Sequence, residues 1–200
     1  MRPSAKVTIL STFRQLIQNR SLDKITVTEI CEKSAINRQT FYNHFSDLFD
    51  IFKYLFQEEL SEEIAQNRTF EKWCGGFLAT LNYLKCNSRM ILNVYQSSYR
   101  SEADLFFINI SYQLLDRVVD ECMNNMHVDL IEPDCRFIVN FYRHVFNGLM
   151  IDWVNEGMKE APEDMLRKLQ LMIGGSIPRS VQAFADEEKL HWWGSLKSKS

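Results

Sequence analysis

The eight residues Arg38-Gln39-Thr40-Phe41-Tyr42-Asn43-His44-Phe45 separate into two faces when wound at helical period. Phe41 and Phe45, four apart, form an apolar face, and Arg38, Gln39, Thr40, Tyr42, Asn43 and His44 form one made of hydrogen-bonding groups. In a DNA major groove, arginine pairs bidentately with guanine, glutamine and asparagine pair with adenine, and a threonine methyl meets that of thymine. Tyrosine and histidine reach phosphates, which fix register rather than read sequence. A merely solvated helix face has the same composition, so the elements that position this one decide its reading.

Those elements are legible upstream. Val7, Leu10, Phe13, Leu16 and Ile17 recur every three to four residues and predict an amphipathic helix over 5–19. After the turn formers of 19–23, a short second helix starts at one of two N-caps: Thr28, or Thr26 with Glu29 completing a capping box. Ser34-Ala35-Ile36-Asn37 break it, and Asn37 is placed to cap a third helix over 38–44. Ser46-Asp47 cap a long fourth carrying Leu48, Ile51, Phe52, Leu55, Phe56 and Leu60. Two short helices joined by about three residues, with Ile30, Ile36, Phe41 and Phe45 turned inward, make a helix-turn-helix whose second member enters the groove. The joint pattern, more than the polar face alone, points to double-stranded DNA.

The chain has 200 residues, 46% apolar and 24% charged, with seven Gly and four Pro, enough for a packed core of one or two small domains. Its net charge of −3 is uneven: residues 1–46 hold seven Lys/Arg against three acids, so a +4 segment precedes a −7 remainder. Five scattered cysteines without a C-x-x-C pair read as reduced thiols. With no signal-peptide pattern and no long apolar run, the expected location is the cytoplasm and no membrane partner is expected. No Gly-rich phosphate loop, H-E-x-x-H or G-x-S-x-G occurs, and a single Glu188-x-x-His191 falls short of a di-iron pair. The expectation is a protein without catalytic residues, metal or cofactor.

The remainder reads as helices over 69–86 (from Phe70), 88–99, 102–126, 133–157 and 162–187, with Pro133 and Pro162 in first turns and Gly157 at a stop. Gly174-Gly175 and Pro178 predict a kink in the last, the glycines allowing close helix approach. Residues 195–200 look like a tail, and His191 with Trp192 and Trp193 like an amphipathic cap. The fold class is thus all-α: a three-helix DNA-binding head over 1–46, a connector helix over 47–66, and a helical effector-sensing and dimerisation bundle over 47–200. Phe137, Phe141, Val145, Leu149 and Trp153 stripe one of the last long helices, and Leu166, Leu169, Met172, Ile173, Ile177 and Val181 the other. One short helix reads too few base pairs, so a homodimer reading two half-sites is expected. Trp73, Phe77, Tyr95, Tyr99, Phe106, Phe107 and Tyr112 supply aromatic walls for an effector pocket, with Arg143 and His144 as polar anchors.

The run from Thr26 to Phe45, ending in Tyr42-Asn43-His44-Phe45, resembles the DNA-binding signature of the tetracycline-repressor (TetR) family over about residues 5–60. The resemblance implies that Thr28, Tyr42 and His44 grip phosphates and that Arg38, Gln39, Thr40 and Asn43 face base edges; Thr26 joins the candidate DNA-binding set. It also implies an all-helical regulator of operator DNA, a repressor relieved by a small-molecule or protein effector. By the same resemblance the two striped helices form the homodimer surface. Two positions depart from the pattern: Ala35 replaces the usual turn glycine, a minor change since alanine stays small, and Leu48 replaces a phosphate-binding lysine. The stretch Phe146 to Trp153, with Gly157 and Pro162, resembles a C-terminal domain of Gram-positive members, one branch of which includes the activator of dihydroxyacetone-kinase genes. That branch offers an alternative: an activator governed by a protein partner, with weak DNA binding of its own.

Overall fold

Residues 4–66 and 72–197 are described by a computed structural model. Among the described residues ten α-helices follow one another: α1 Ala5–Ile17, α2 Val27–Lys33, α3 Arg38–Tyr42, α4 Leu48–Gln66, α5 Trp73–Cys86, α6 Ser88–Tyr95, α7 Arg100–Met126, α8 Glu132–Asn155, α9 Pro162–Ile173 and α10 Ser176–Lys197. A 3₁₀ turn at Leu22–Lys24 separates α1 from α2. No strand occurs among the described residues, and no helix there is long and apolar enough to cross a membrane. Phe70, the side chains of Glu188, His191, Trp192 and Trp193, and residues 198–200 lie outside the described residues.

Local chemistry sets the boundaries. Ser4 caps α1, accepting from Val7 N–H, and Asn37 caps α3. Asp47 accepts the Asp50 N–H at 2.7 Å at the start of α4, while Ser46 N–H and Oγ donate to the Asp50 carboxylate at 3.1 and 3.0 Å. The stop of α8 uses Gly157 at φ +81°, with Gly157 N–H on Val154 O and Met158 N–H on Trp153 O. α6 ends at Tyr95, short of the expected 99, because Ser97 Oγ bonds back to Val94 O at 2.6 Å and accepts from Tyr99 N–H.

The expected kink near 174 is a full break into α9 and α10. Gly175 takes φ +72°, Ser176 Oγ bonds Ile173 O at 2.7 Å, and α10 then runs into the segment read as a tail. The glycines do not serve close helix approach. A Cβ on Gly174 would meet only Gln170 O of its own helix, and one on Gly175 would meet nothing.

One apolar core runs from the first helices into the body. Ile9, Phe13, Ile30, Phe41 and Phe45 lie in the same cluster as Phe49, Phe52 and Phe56 of α4 and Phe106 and Phe107 of α7. Centroid distances of 5.2 to 6.4 Å tie Phe52 and Phe56 to Phe106 and Phe107, and Phe49 stacks on Tyr99 at 5.8 Å. Two polar ties run beside this seam: Ser98 N–H and Oγ donate to the Asp23 carboxylate, and Asn93 Nδ2 donates to Ile17 O at 2.6 Å. A second cluster joins α7, α8 and α10 through Val118, Val119, Ile138, Tyr142, Phe146 and Val181.

The start of α4 responds to pH in a defined direction. Burial pushes the Asp50 carboxyl up, but the Ser46 donors and the Lys53 ammonium at 3.1 Å outweigh it and hold Asp50 below the ordinary carboxylate value. A depressed folded pKa gives stability that is complete above the unfolded value, about 3.9, and fades as pH falls through the folded one. Asp50→Ala is expected to lower unfolding free energy by about 1 kcal/mol near pH 7. Urea titrations of both proteins should show that gap narrowing only below about pH 4.

Candidate nucleic-acid interface

The recognition element is built from caps inward. Thr26 is the N-cap of α2, its Oγ1 accepting Glu29 N–H at 3.1 Å, which resolves the choice between the two threonines. Thr28 therefore stands exposed on the first turn of α2. Ile30 and Cys31 bury against α1, where Ser34 Oγ donates to Thr12 Oγ1 at 2.9 Å inside the core. The α2–α3 turn closes with Ile36 N–H on Cys31 O and Ala35 N–H on Glu32 O, which places Ala35 at φ +51°. Alanine's small size is therefore not what matters at Ala35. A left-handed backbone costs an L-residue about 1–2 kcal/mol, and glycine avoids that term.

Phe41 is fully buried, Phe45 packs edge-on against Tyr54 at 5.7 Å, and these anchors turn the opposite face of α3 outward. Arg38, Gln39, Tyr42, Asn43 and His44 are all exposed there, with Thr40 half-buried. Three of these side chains are oriented from within the protein. Arg38 donates to Thr28 Oγ1, Gln39 Nε2 donates to Asn43 Oδ1 at 3.2 Å, and Thr40 N–H and Oγ1 donate to Asn37 Oδ1 at 2.7 and 2.9 Å. Asn37 is thus more than the cap read from sequence: it also fixes the Thr40 hydroxyl. The signal for that was present in the three-residue spacing of two short polar side chains.

Three basic residues of the first helices are already engaged within the chain. Arg14 pairs with Glu59, Arg20 with Glu29, and the Lys6 ammonium lies 3.7 Å from the Tyr54 ring centroid. Leu48, at the position where the family pattern has lysine, is 6% exposed and belongs to the core.

The residues read as effector walls divide. Trp73, Phe77 and Phe107 line an apolar cavity of about 50 Å³ among α5, α7 and α8, together with Thr80, Ser111, Phe146 and Met150. Tyr95 and Tyr99 are elsewhere: Tyr95 stacks on Phe107 with its phenol pushed up by burial and by Asp104, and Tyr99 packs on Phe49. Arg143 sits with its guanidinium 5.3 Å over the Tyr112 ring and does not line the cavity, and His144 is exposed. Phe146 and Met150, one turn apart on α8, are the wall that sequence reading missed.

The two apolar stripes also divide. Trp153, Leu166, Leu169, Ile177 and Val181 are buried within the chain, so they are core. Phe137 (61% exposed), Phe141, Leu149 and Met172 (80% exposed) remain outside, as does Leu171, which belonged to neither stripe. Phe141, Val145 and Leu149 of α8 face Met172 and Ile173 of α9 across a groove of about 730 Å³, floored by Trp153 and Leu169.

Residues 71–175 match a family described as the C-terminal region of transcriptional regulators. Over 133 residues the chain is 29% identical to the HTH-type dhaKLM operon transcriptional activator DhaS of Lactococcus lactis, covering 64% of this chain and 70% of that protein. A solved structure titled dihydroxyacetone kinase operon activator DhaS superposes with TM-score 0.65 at 20% identity, covering 90% of this chain and 98% of the other. The fatty acid degradation regulator FadR from Bacillus halodurans superposes at 0.61 with 18% identity, covering 88% and 97%. At those identities the two structures establish the shared all-α fold.

Ala35→Gly should stabilise the protein. Relief of the left-handed backbone exceeds the extra freedom glycine gives the unfolded chain, for a net gain of about 0.5–1 kcal/mol. A higher urea midpoint with an unchanged slope would show it; a lower midpoint would mean that the turn needs the Ala35 methyl.

Proposed function

The chain belongs to the TetR type of transcriptional regulators, and from that premise we propose that it is a cytoplasmic homodimer, without catalytic activity, that holds an operator through paired α3 helices. Residues 1–46 do the binding, α4 connects, and residues 47–200 dimerise and sense. The observation that carries this reading is the exposed, internally oriented polar face of α3. Arg38, Gln39, Thr40 and Asn43 meet base edges, Thr28, Tyr42 and His44 hold phosphates, and Thr26 serves as the cap that keeps Thr28 in place.

Regulation is linkage. A dimer reads a palindrome only when its two α3 helices stand about one DNA turn, roughly 34–36 Å, apart. A small apolar effector in the cavity lined by Phe107 and Phe146, binding better to a dimer with another spacing, lowers DNA affinity by its preference for that state. Repression relieved by an effector is the first reading. Activation under a protein partner is the second, favoured by the similarity to a protein named as an activator and by the loss of a lysine at Leu48.

Anisotropy titrations against DNA from the protein's own upstream region and against scrambled DNA, at several salt concentrations, test the reading. A preference of about 10³ or more for one site is expected, with affinity falling as salt rises. Tyr42→Phe should weaken specific and scrambled DNA by the same factor, because a phosphate contact carries no sequence information. Binding that is weak and sequence-blind at every salt would defeat the first reading. For the dimer, Phe141→Glu places a charge in the apolar groove and should convert the protein to a monomer by sedimentation velocity, with operator affinity reduced more than tenfold. An unchanged dimer would move the interface away from α8.

A further inference from the structure

The cavity among α5, α7 and α8 is apolar except at Thr80 and Ser111, and among the described residues no charged side chain lines it. Both hydroxyls already donate. Thr80 Oγ1 lies 2.9 Å from Gly76 O, and a carbonyl can only accept. Ser111 Oγ lies 3.3 Å from one end of the buried Asn147 amide, whose other end is 2.8 Å from Arg143 O. Because that carbonyl too can only accept, the amide NH2 faces it, Oδ1 faces Ser111, and the Ser111 hydroxyl is the donor. Each hydroxyl oxygen can still accept, so this wall takes a hydrogen bond from a ligand more readily than it gives one. Size narrows the occupant further. An apolar cavity of about 150 Å³ holds one benzene. At about 50 Å³ this one holds a smaller molecule.

We propose that the cavity takes a short monohydric alcohol of about four carbons, its alkyl part against Phe107, Phe146 and Met150 and its hydroxyl donating to Thr80 or Ser111. An anion would lose its hydration there with no cation to replace it, and a polyol would bury hydroxyls that find no partner. A ketone of the same shape brings only an acceptor. To serve it, Thr80 or Ser111 must give up the bond it already makes. This inference deepens the effector reading above, and rests on it for the consequence at DNA.

NMR titration of the full chain, following the methionine methyl resonances, reads the site directly, with the Met150 signal identified by its loss in Met150→Leu. Added sec-butanol should move that signal saturably. Butanone should bind about fivefold more weakly, the worth of one neutral hydrogen bond, and butyrate and glycerol should leave the signal unmoved at the same concentrations. In Thr80→Val/Ser111→Val, which removes both acceptors, the alcohol and the ketone should bind equally. Circular dichroism melts show whether that variant folds, and the ligand series on the wild type decides the question without it. A wild type that binds butanone as tightly as sec-butanol overturns the proposal. So does butyrate moving the Met150 signal, or sec-butanol failing to. Operator anisotropy with saturating sec-butanol then addresses regulation separately. A fall in DNA affinity joins the alcohol to the linkage mechanism, whereas unchanged affinity overturns that mechanism and leaves the ligand class standing.

Discussion

The position of α3 depends on the aromatic seam between α4 and α7. Phe49, Phe52 and Phe56 repeat at helical spacing along α4, and each meets Phe106 or Phe107 of α7, Phe49 also stacking on Tyr99 just before that helix. Near the first turns of α4, Phe45 and Tyr54 pack together, and Lys6 of α1 covers the Tyr54 ring. α4 is therefore a beam gripped by the bundle along one face and by the recognition element along another. The rings are close-packed, so the seam fixes how α4 and α7 sit against each other. Phe107 stands at the junction, lining the cavity while touching Phe52, Phe56 and Tyr95. Asp23 with Ser98, and Asn93 with the Ile17 carbonyl, fix the same two bodies with directional bonds where the seam has only apolar ones.

Charge contributes less to this head than its composition implies. Of the seven basic residues in 1–46, Arg14 and Arg20 face carboxylates and Lys6 faces a ring. Exposed pairs of this kind contribute little to stability, but they do lower the local field that draws a polyanion. Leu48 adds no charge at this point either, since it is apolar and fills the core. What this face does have is order: Arg38, Gln39 and Thr40 are organised by hydrogen bonds to Thr28, Asn43 and Asn37, which leaves these groups less side-chain entropy to lose.

How much of this was legible from sequence follows from the range of the interactions involved. Caps are local: Asn37 before α3, Asp47 before α4 and Gly157 after α8 sit within a turn of the boundaries they make, and the spacing of polar residues revealed them. Apolar periodicity revealed the faces of the long helices but not their partners. Leu169 and Met172 look alike on a helical wheel, yet one is buried and the other 80% exposed. Trp153, read as part of an external stripe, turns inward because its indole N–H finds the Glu160 carbonyl at 3.1 Å across the α8–α9 turn. Ring chemistry alone puts Tyr95 and Tyr99 in a pocket. Their true positions depend on where α6 ends, and that is set by the Ser97 hydroxyl.

Ala35 and Leu48 have opposite physical consequences for one small structure. Ala35 adds backbone strain to the turn that sets the angle of α3, a cost of about 1–2 kcal/mol that the surrounding packing must hold in place. Leu48 adds apolar burial at the point where α4 leaves the head, of a size comparable to that strain: fully burying a leucine is worth about 1.5–3 kcal/mol. A lysine at the same point would have had to carry its charge to the surface, leaving the head core without that side chain's apolar bulk. The head is thereby held together by its own core, with α3 anchored through buried Phe41 and Phe45 and the start of α4 through Leu48.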